Sequence, residues 1–245
     1  MYLMDRIAWV REMEDLAPPG LAEEFDSGRI GLIIEGRRRI GTVCCALDAT
    51  PAVVRTAIDQ RADMLVVHHT PFWTPLTSLT GGTATFAREV LSADMNLYVM
   101  HTNFDFAPGG VNDSLAELLG LSHRVHMSYG LVGTCTISLP EIASRLRTPL
   151  RIWGRLNELH HLAIAAGSGF DPGIIGEAAD LGAGGEPALE EACQETAKWD
   201  RLARSLRLGI PSPSLPFLEI PPTITLLQAN TLSQGYPMKV GRAAD

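Results

Sequence analysis

The chain has 245 residues, of which 28 are acidic and 20 basic, and its formal net charge is −8 at pH 7. The length is ample for a buried core, and 46% apolar with 20% charged residues is typical of a globular protein rather than a disordered one. The acidic balance argues against a general nucleic-acid binder, which needs clustered Lys and Arg.

We expect a cytoplasmic protein without a membrane partner. No apolar run approaches the roughly 18 residues of a membrane helix, and charged Asp5, Arg6 and Arg11 interrupt the apolar core that a signal peptide would need. The four cysteines form no C-x-x-C pair, which favours free thiols in a reducing compartment.

The N-terminal elements are predicted by residue spacing and by capping residues. Apolar residues at helical spacing predict a helix over residues 1–16, which Pro18, Pro19 and Gly20 end. Two β-rich stretches follow at 31–36 and 40–48. Thr50 then precedes Pro51, a pair typical of a helix N-cap and first helical residue, so we predict a helix that extends to about residue 62.

Strands and helices alternate in the next part of the chain. Short apolar runs at 64–67 and 97–100 predict buried strands, and helices are predicted near 85–93 and from 111 to 121. The alternation predicts an α/β fold with mixed, largely parallel sheets.

A weaker pattern predicts a second lobe in the rest of the chain. Its predicted elements are a strand at 131–138, a helix at 140–146, a strand at 162–167, a helix at 172–181 and a short edge strand in the Pro-rich tail. We place a soft boundary near 122–130, which gives lobes 1–125 and 126–245. A single compact unit is the alternative.

Histidines follow two of the predicted strands at the point where each strand ends. His68 and His69 come directly after the first, His101 follows the second, and Asp105 lies four residues further on in a predicted loop. Ligands of open α/β sheets gather outside the carboxyl ends of the strands, so we expect these side chains to share one volume. Imidazole and carboxylate groups suit Zn, Fe, Mn, Co or Ni. The sequence therefore predicts one or two divalent metal ions per chain.

Other interpretations of the polar residues stay open. Without a metal, the same side chains form an acid–base set in which Asp105 orients a histidine. No serine lies in a G-x-S-x-G elbow and no cysteine stands beside the histidines, which argues against a nucleophilic triad. His160 and His161 precede a predicted strand and are expected to be surface or structural residues.

A glycine-rich turn follows the predicted strand of the second lobe. Residues 167–169 read Gly-Ser-Gly before a helix, as a phosphate-binding turn would. Pro172 stands where the third glycine of G-x-G-x-x-G belongs, so a tight backbone turn is favoured over a nucleotide site.

The chain resembles the family of GTP cyclohydrolase I type 2 homologues in the segments LVVHHTPFW and HTNFDFAPGGVNDSLAELLGL. The segments LAEEFDSGRIGL, VCCALDATPAVVRTAI, AIAAGSGFDPGIIGEAADLGA and LPFLEIPPTI are also similar to it, so the likeness covers roughly residues 3 to 183 and a closing strand. The resemblance implies two similar α/β lobes with metals in the cleft between them, assembled as a toroidal homohexamer.

The same resemblance implies roles for individual residues. It makes His68, His69 and Asp105 metal ligands, and it places His101 at a nearby position that orients ligands or transfers protons. No residue indicates the identity of a small-molecule substrate.

The chain departs from this family near its C-terminus. The family completes its site with a G-H-x-x-x-E segment, whereas this chain has no histidine after His161. Three ligands therefore match where the family has five, which favours a single-metal or metal-poor site over a full dinuclear one. Oxygen ligands from the acidic residues of the shortened region are a candidate replacement, namely Glu186, Glu190, Glu191 or Glu195.

These observations favour metal-dependent, hydrolase-like chemistry on a nucleotide, phosphoester or amide, with enzymatic activity itself left open. Metal ions support such chemistry by activating water and by clamping the attacking and leaving oxygens. The alternative is a non-catalytic, oligomeric metal-binding or interaction protein with an incomplete site. A third interpretation is a nucleotide or methyl-donor binder that uses the glycine-rich turn.

Overall fold

The computed structural model describes residues 3–147, 150–153, 159–167, 172–183, 226–229 and 239–242. The chain divides into two compact units, of which the first comprises Met1–Gly110 with Ser233–Asp245 and the second Val111–Leu232. The predicted α/β class with mixed sheets is confirmed. No helix within the described ranges is long and apolar enough to cross a membrane.

The described elements of the first unit are, in chain order, β1 (Met4–Asp5), α1 (Arg6–Leu16), β2 (Gly31–Ile34), β3 (Arg39–Ile40), β4 (Thr42–Asp48), α2 (Pro51–Asp59), β5 (Met64–His69), α3 (Gly81–Ser92), β6 (Asn96–Val99), α4 (Thr102–Phe106) and, after the second unit, β12 (Lys239–Arg242). Those of the second unit are α5 (Val111–Leu119), β7 (Ser122–His126), β8 (Leu131–Ile137), α6 (Leu139–Leu146), β9 (Leu150–Trp153), β10 (Leu159–Ile164), α7 (Pro172–Asp180) and β11 (Leu226–Ala229).

The first unit is built on a five-stranded sheet with the order β12-β4-β5-β6-β2. The three central strands are parallel, whereas β12 and β2 pair antiparallel on the two edges. Helices α2 and α3 connect the parallel strands, because a parallel pair needs a long crossover. The side chain of Thr50 accepts a hydrogen bond from the Val53 amide, which confirms the predicted cap of α2.

Both faces of the central strands are covered by apolar side chains. Leu65 and Leu97 pack on one face against Val54 of α2 and Val90 of α3. On the other face Met64, Tyr98 and Met100 pack with Trp9 and Met13, two residues of α1. Burying each such side chain stabilises the fold by roughly 1.5–3 kcal/mol, which fixes the strand ends that carry the histidines.

The second unit contains an antiparallel sheet with the order β10-β8-β7 and the antiparallel pair β11-β9. Ala116 and Leu119 of α5 pack in one cluster with Leu131 of β8 and Ile142 of α6. The second unit begins at Val111, upstream of the soft boundary that the sequence suggested near 122–130. The antiparallel pairing also differs from the largely parallel one that we expected.

His160 and His161 lie within β10 and not before it, and both are exposed. Their predicted surface location therefore agrees with the structure, although the strand begins earlier than the apolar run suggests. Helix α1 begins at Arg6 because Asp5 pairs with β3 and accepts the Ile7 amide.

Candidate metal centre

The three histidines are brought together by neighbouring parallel strands. His68 and His69 are the last two residues of β5, and His101 follows the adjacent strand β6 after Met100. Strand β4 lies on the other side of β5, with Asp48 in register with His69. The carboxyl ends of all three strands therefore meet at one edge of the sheet.

The three imidazole rings form a tight cluster. Ring centroids are 5.0 Å apart for His68 and His69, 4.9 Å for His68 and His101, and 5.7 Å for His69 and His101. One ring nitrogen from each residue lies within 4.8 Å of the other two, so the group can hold a metal ion.

The convergence of His68 and His69 departs from regular strand geometry, in which consecutive side chains point to opposite faces. The described register between β5 and β6 ends at the pair Val67 and Val99, one residue before His68. On the other side β5 stays in register with β4 up to Asp48 and His69, so the two histidines leave only the pairing with β6.

Each imidazole is held through its Nδ1 atom. Nδ1 of His68 donates to the carbonyl oxygen of Met100 at 2.9 Å, and Nδ1 of His69 donates to Oδ1 of Asp48 at 2.7 Å. Nδ1 of His101 lies 2.9 Å from both carboxylate oxygens of Asp26. With the proton on Nδ1, a neutral imidazole presents the lone pair of Nε2, so all three rings are oriented as metal ligands usually are.

Asp26 is fully buried, and its carboxylate binds more than the histidine. It accepts hydrogen bonds from the backbone amide and the hydroxyl of Thr102. The same hydroxyl accepts from the Glu23 amide. This network ties the short 3₁₀ helix Glu24–Asp26 to the residues around His101.

Asp105 is carried by α4, a short helix in a segment that the sequence predicted as a loop. Its side chain is buried, and Oδ1 lies 3.7 Å from Nε2 of His68. Asn103 holds this helix, because its side chain donates to the Ala17 carbonyl and accepts from the His101 amide. Such tertiary hydrogen bonds explain why the local sequence did not predict the helix.

The charge state of His68 suits metal binding. Burial, together with the neighbouring His101 and His69, lowers the pKa of His68 to about 4, against the raising effects of the hydrogen bond to Met100 and of Asp26. His68 is therefore neutral at pH 7, and the neutral imidazole is the form that binds metals.

The sequence identified most of this cluster and missed two residues. The ring nitrogens of His68, His69 and His101 form the cluster, and Asp105 lies beside His68. Asp26 and Asp48 were missed as partners of the imidazoles, although both lie in segments that resemble the family. Glu186, Glu190, Glu191 and Glu195, proposed as replacement ligands, and Gly169 of the glycine-rich turn lie outside the described residues.

A family model for Duf34/NIF3 (NGG1p interacting factor 3) matches residues 4–193. The chain belongs to this family. It is 33% identical to the GTP cyclohydrolase 1 type 2 homolog of Clostridium perfringens over 192 residues, which are 70% of this chain and 71% of the relative. It is 34% identical to the NIF3-like protein 1 of Drosophila melanogaster over 118 residues, 46% of this chain and 40% of that protein. The resemblance seen in the sequence is confirmed.

Two solved structures have a similar fold. Reduced HcgD from Methanocaldococcus jannaschii has a TM-score of 0.66 at 23% identity, covering 84% of this chain and 95% of that one. A hypothetical protein of Staphylococcus aureus has a TM-score of 0.67 at 22% identity, covering 89% and 99%. These likenesses establish the fold.

Proposed function

We propose that this protein binds one divalent transition-metal ion per chain and uses it to hydrolyse a nucleotide, phosphoester or amide. The ligands in this proposal are His68, His69 and Asp105, joined by His101. The observation that carries the proposal is the clustering of three ring nitrogens within 4.8 Å, each on an imidazole whose Nδ1 is already engaged.

The donor set fits such an ion. Imidazole nitrogens with a carboxylate oxygen suit Zn, Fe, Mn, Co and Ni, with distances of about 2.0–2.1 Å from zinc to nitrogen. Two nitrogens on opposite sides of one ion are then up to about 4.2 Å apart, so small side-chain movements from the present cluster suffice. A bound ion would lower the pKa of a coordinated water and polarise the oxygen under attack.

The protein residues around this site orient the ligands and manage protons. Asp48 and the Met100 carbonyl fix the rings of His69 and His68, and Asp26 fixes His101. Asp26 accepts the Nδ1 proton of His101 and leaves the Nε2 lone pair free either to bind the ion or, where it does not, to exchange a proton. His101 is therefore the candidate for proton transfer as well as for coordination.

Relatives named GTP cyclohydrolase 1 type 2 homologs make GTP the first substrate to assay. A panel with other nucleoside triphosphates, a phosphodiester and a simple amide separates nucleotide chemistry from general hydrolysis. No turnover with any of them would favour the alternative function, a non-catalytic metal-binding protein.

Elemental analysis of protein purified without chelator tests the metal site. We expect about one ion per chain in the wild type, and its loss in His68→Ala and His69→Ala. His161→Ala is the matched control, since His161 is an exposed histidine on β10 in the other unit. A metal-free wild type after growth and dialysis with Zn, Fe, Mn, Co and Ni, or equal metal in His68→Ala, would contradict the proposal.

Location and assembly are part of the same proposal. The described cysteines Cys44, Cys45 and Cys135 are free thiols, which supports a reducing compartment such as the cytoplasm. The family resemblance supports a homohexamer. Light scattering tests this directly, because the hexamer has six times the 26.5 kDa mass of the chain.

A further inference from the structure

Two half-exposed aromatic side chains stand beside the histidine cluster. The ring centroids of Trp73 and Phe25 lie 5.3 Å and 6.0 Å from that of His101, both edge to face. Trp73 is 46% exposed and Phe25 is 52% exposed. Removing apolar surface from water is favourable by roughly 25 cal/mol per Å². A ligand that covers these exposed rings would gain this stabilisation.

The residues next to both aromatic side chains are anchored by contacts of their own. Phe72 precedes Trp73, packs edge to face on Phe86 with centroids 5.7 Å apart, and donates its amide to Thr70. Phe25 precedes Asp26, which is fixed by its bonds to His101 and Thr102. The backbone that carries the two rings is therefore anchored, which reduces the entropy lost when a ligand binds.

A positively charged side chain, that of Arg29, is hydrogen-bonded to the backbone of Trp73. Nε of Arg29 donates to the backbone oxygen of Trp73 at 2.9 Å. In the described part of the chain Arg29 forms no ion pair, whereas Arg6, Arg37 and Arg38 each pair with a carboxylate. The rest of its guanidinium is thus available for an anion, such as a phosphate.

We propose that Phe25, Trp73 and Arg29 form a binding site for an anionic ligand with a planar ring, which packs on the aromatic pair while its charged group meets Arg29. The site lies beside His101 of the candidate metal centre. Identifying its ligand as the substrate therefore rests on the proposed function. A nucleoside triphosphate has both features, and tripolyphosphate has the charge without the ring.

The test compares the dissociation constants of GTP, ATP, CTP, UTP and tripolyphosphate by isothermal titration calorimetry. We expect the wild type to bind at least one nucleotide about tenfold more tightly than tripolyphosphate, because stacking of a base on an aromatic side chain contributes an affinity difference of about this size. Trp73→Ala and Phe25→Ala should each remove most of that preference and leave tripolyphosphate binding and metal content unchanged. Trp73→Phe should retain it. Arg29→Gln should weaken both ligand types.

Leu79→Ala is the matched control, because Leu79 is an apolar residue of the same connection between β5 and α3 and is 59% exposed. The inference is wrong if no nucleotide binds more tightly than tripolyphosphate, if Leu79→Ala acts like Trp73→Ala, or if Trp73→Ala changes the assembly mass measured by light scattering. If the wild type holds no metal but its nucleotide preference still depends on Trp73, this site stands and the metal proposal fails.

Discussion

His101 and Asp26 form a partly buried imidazole–carboxylate pair in which Nδ1 lies 2.9 Å from both carboxylate oxygens. Asp26 is fully buried and is 75 residues away in sequence. A carboxylate behind a ligating imidazole fixes the orientation and the tautomer of the ring. The pair therefore links a residue of the early chain to the candidate metal centre.

Asp26→Asn should weaken metal binding by roughly 10- to 100-fold, as loss of a partner behind a ligating histidine usually does. The asparagine amide would also face the Thr102 donors, so we expect a loss of about 1–3 kcal/mol in unfolding free energy. Competition with a chromogenic chelator measures the affinity, and urea denaturation of the metal-free protein measures the stability. An unchanged affinity would exclude this role for Asp26.

Asp48→Asn should weaken metal binding over a similar range of roughly 10- to 100-fold with a smaller effect on folding. The Asp48 side chain is about a third exposed, so an asparagine there keeps contact with water. Asp59→Asn, at an exposed position at the end of α2, is the control for the loss of a carboxylate. If the two variants have equal metal affinities in competition with the chelator, Asp48 does not support the metal site.

The metal-free protein should lose stability as the pH falls from about 6.5 to about 4. The pKa of His68 is about 4 in the fold against 6.5 for an ordinary histidine, because burial and neighbouring His101 and His69 oppose its charge. As the pH falls, the unfolded chain therefore binds this proton before the folded protein does. The free energy of unfolding decreases by about 3 kcal/mol at pH 4 and is unchanged above pH 6.5.

Urea denaturation at pH 7.5 and pH 5, with metal removed by chelator, measures this effect. His68→Gln lacks the titrating group, so it should lose less stability than the wild type over the same interval. Parallel pH profiles for the two proteins would show that His68 keeps its ordinary pKa.

Gly110→Ala should destabilise the first unit by about 1–3 kcal/mol. An added Cβ would overlap the Phe104 carbonyl oxygen and lie 2.7 Å from that of Ala107, so α4 and its Asp105 would have to shift. We therefore also expect weaker metal binding. Gly82→Ala is the control, because its Cβ meets nothing within 4 Å and alanine favours helix α3 by about 0.5–1 kcal/mol. A Gly110→Ala protein as stable as Gly82→Ala would contradict the expected clash.

The local sequence predicted the elements that carry the site because their signals lie within a few residues. The Thr50–Pro51 pair marked the start of α2, and the apolar runs at 64–67 and 97–100 marked β5 and β6. The histidines after these runs could be assigned to one sheet edge, since parallel strands end on the same side.

The partners of the imidazoles depended on the tertiary structure. Asp48 reaches His69 because β4 and β5 pair in a register that no local pattern specifies. Asp26 reaches His101 through a short helix with no periodic signal, and α4 forms in a predicted loop because Asn103 bonds to Ala17. Periodicity and capping act between near neighbours and give the sequence its elements, whereas these contacts join residues many positions apart and arise only when the chain folds.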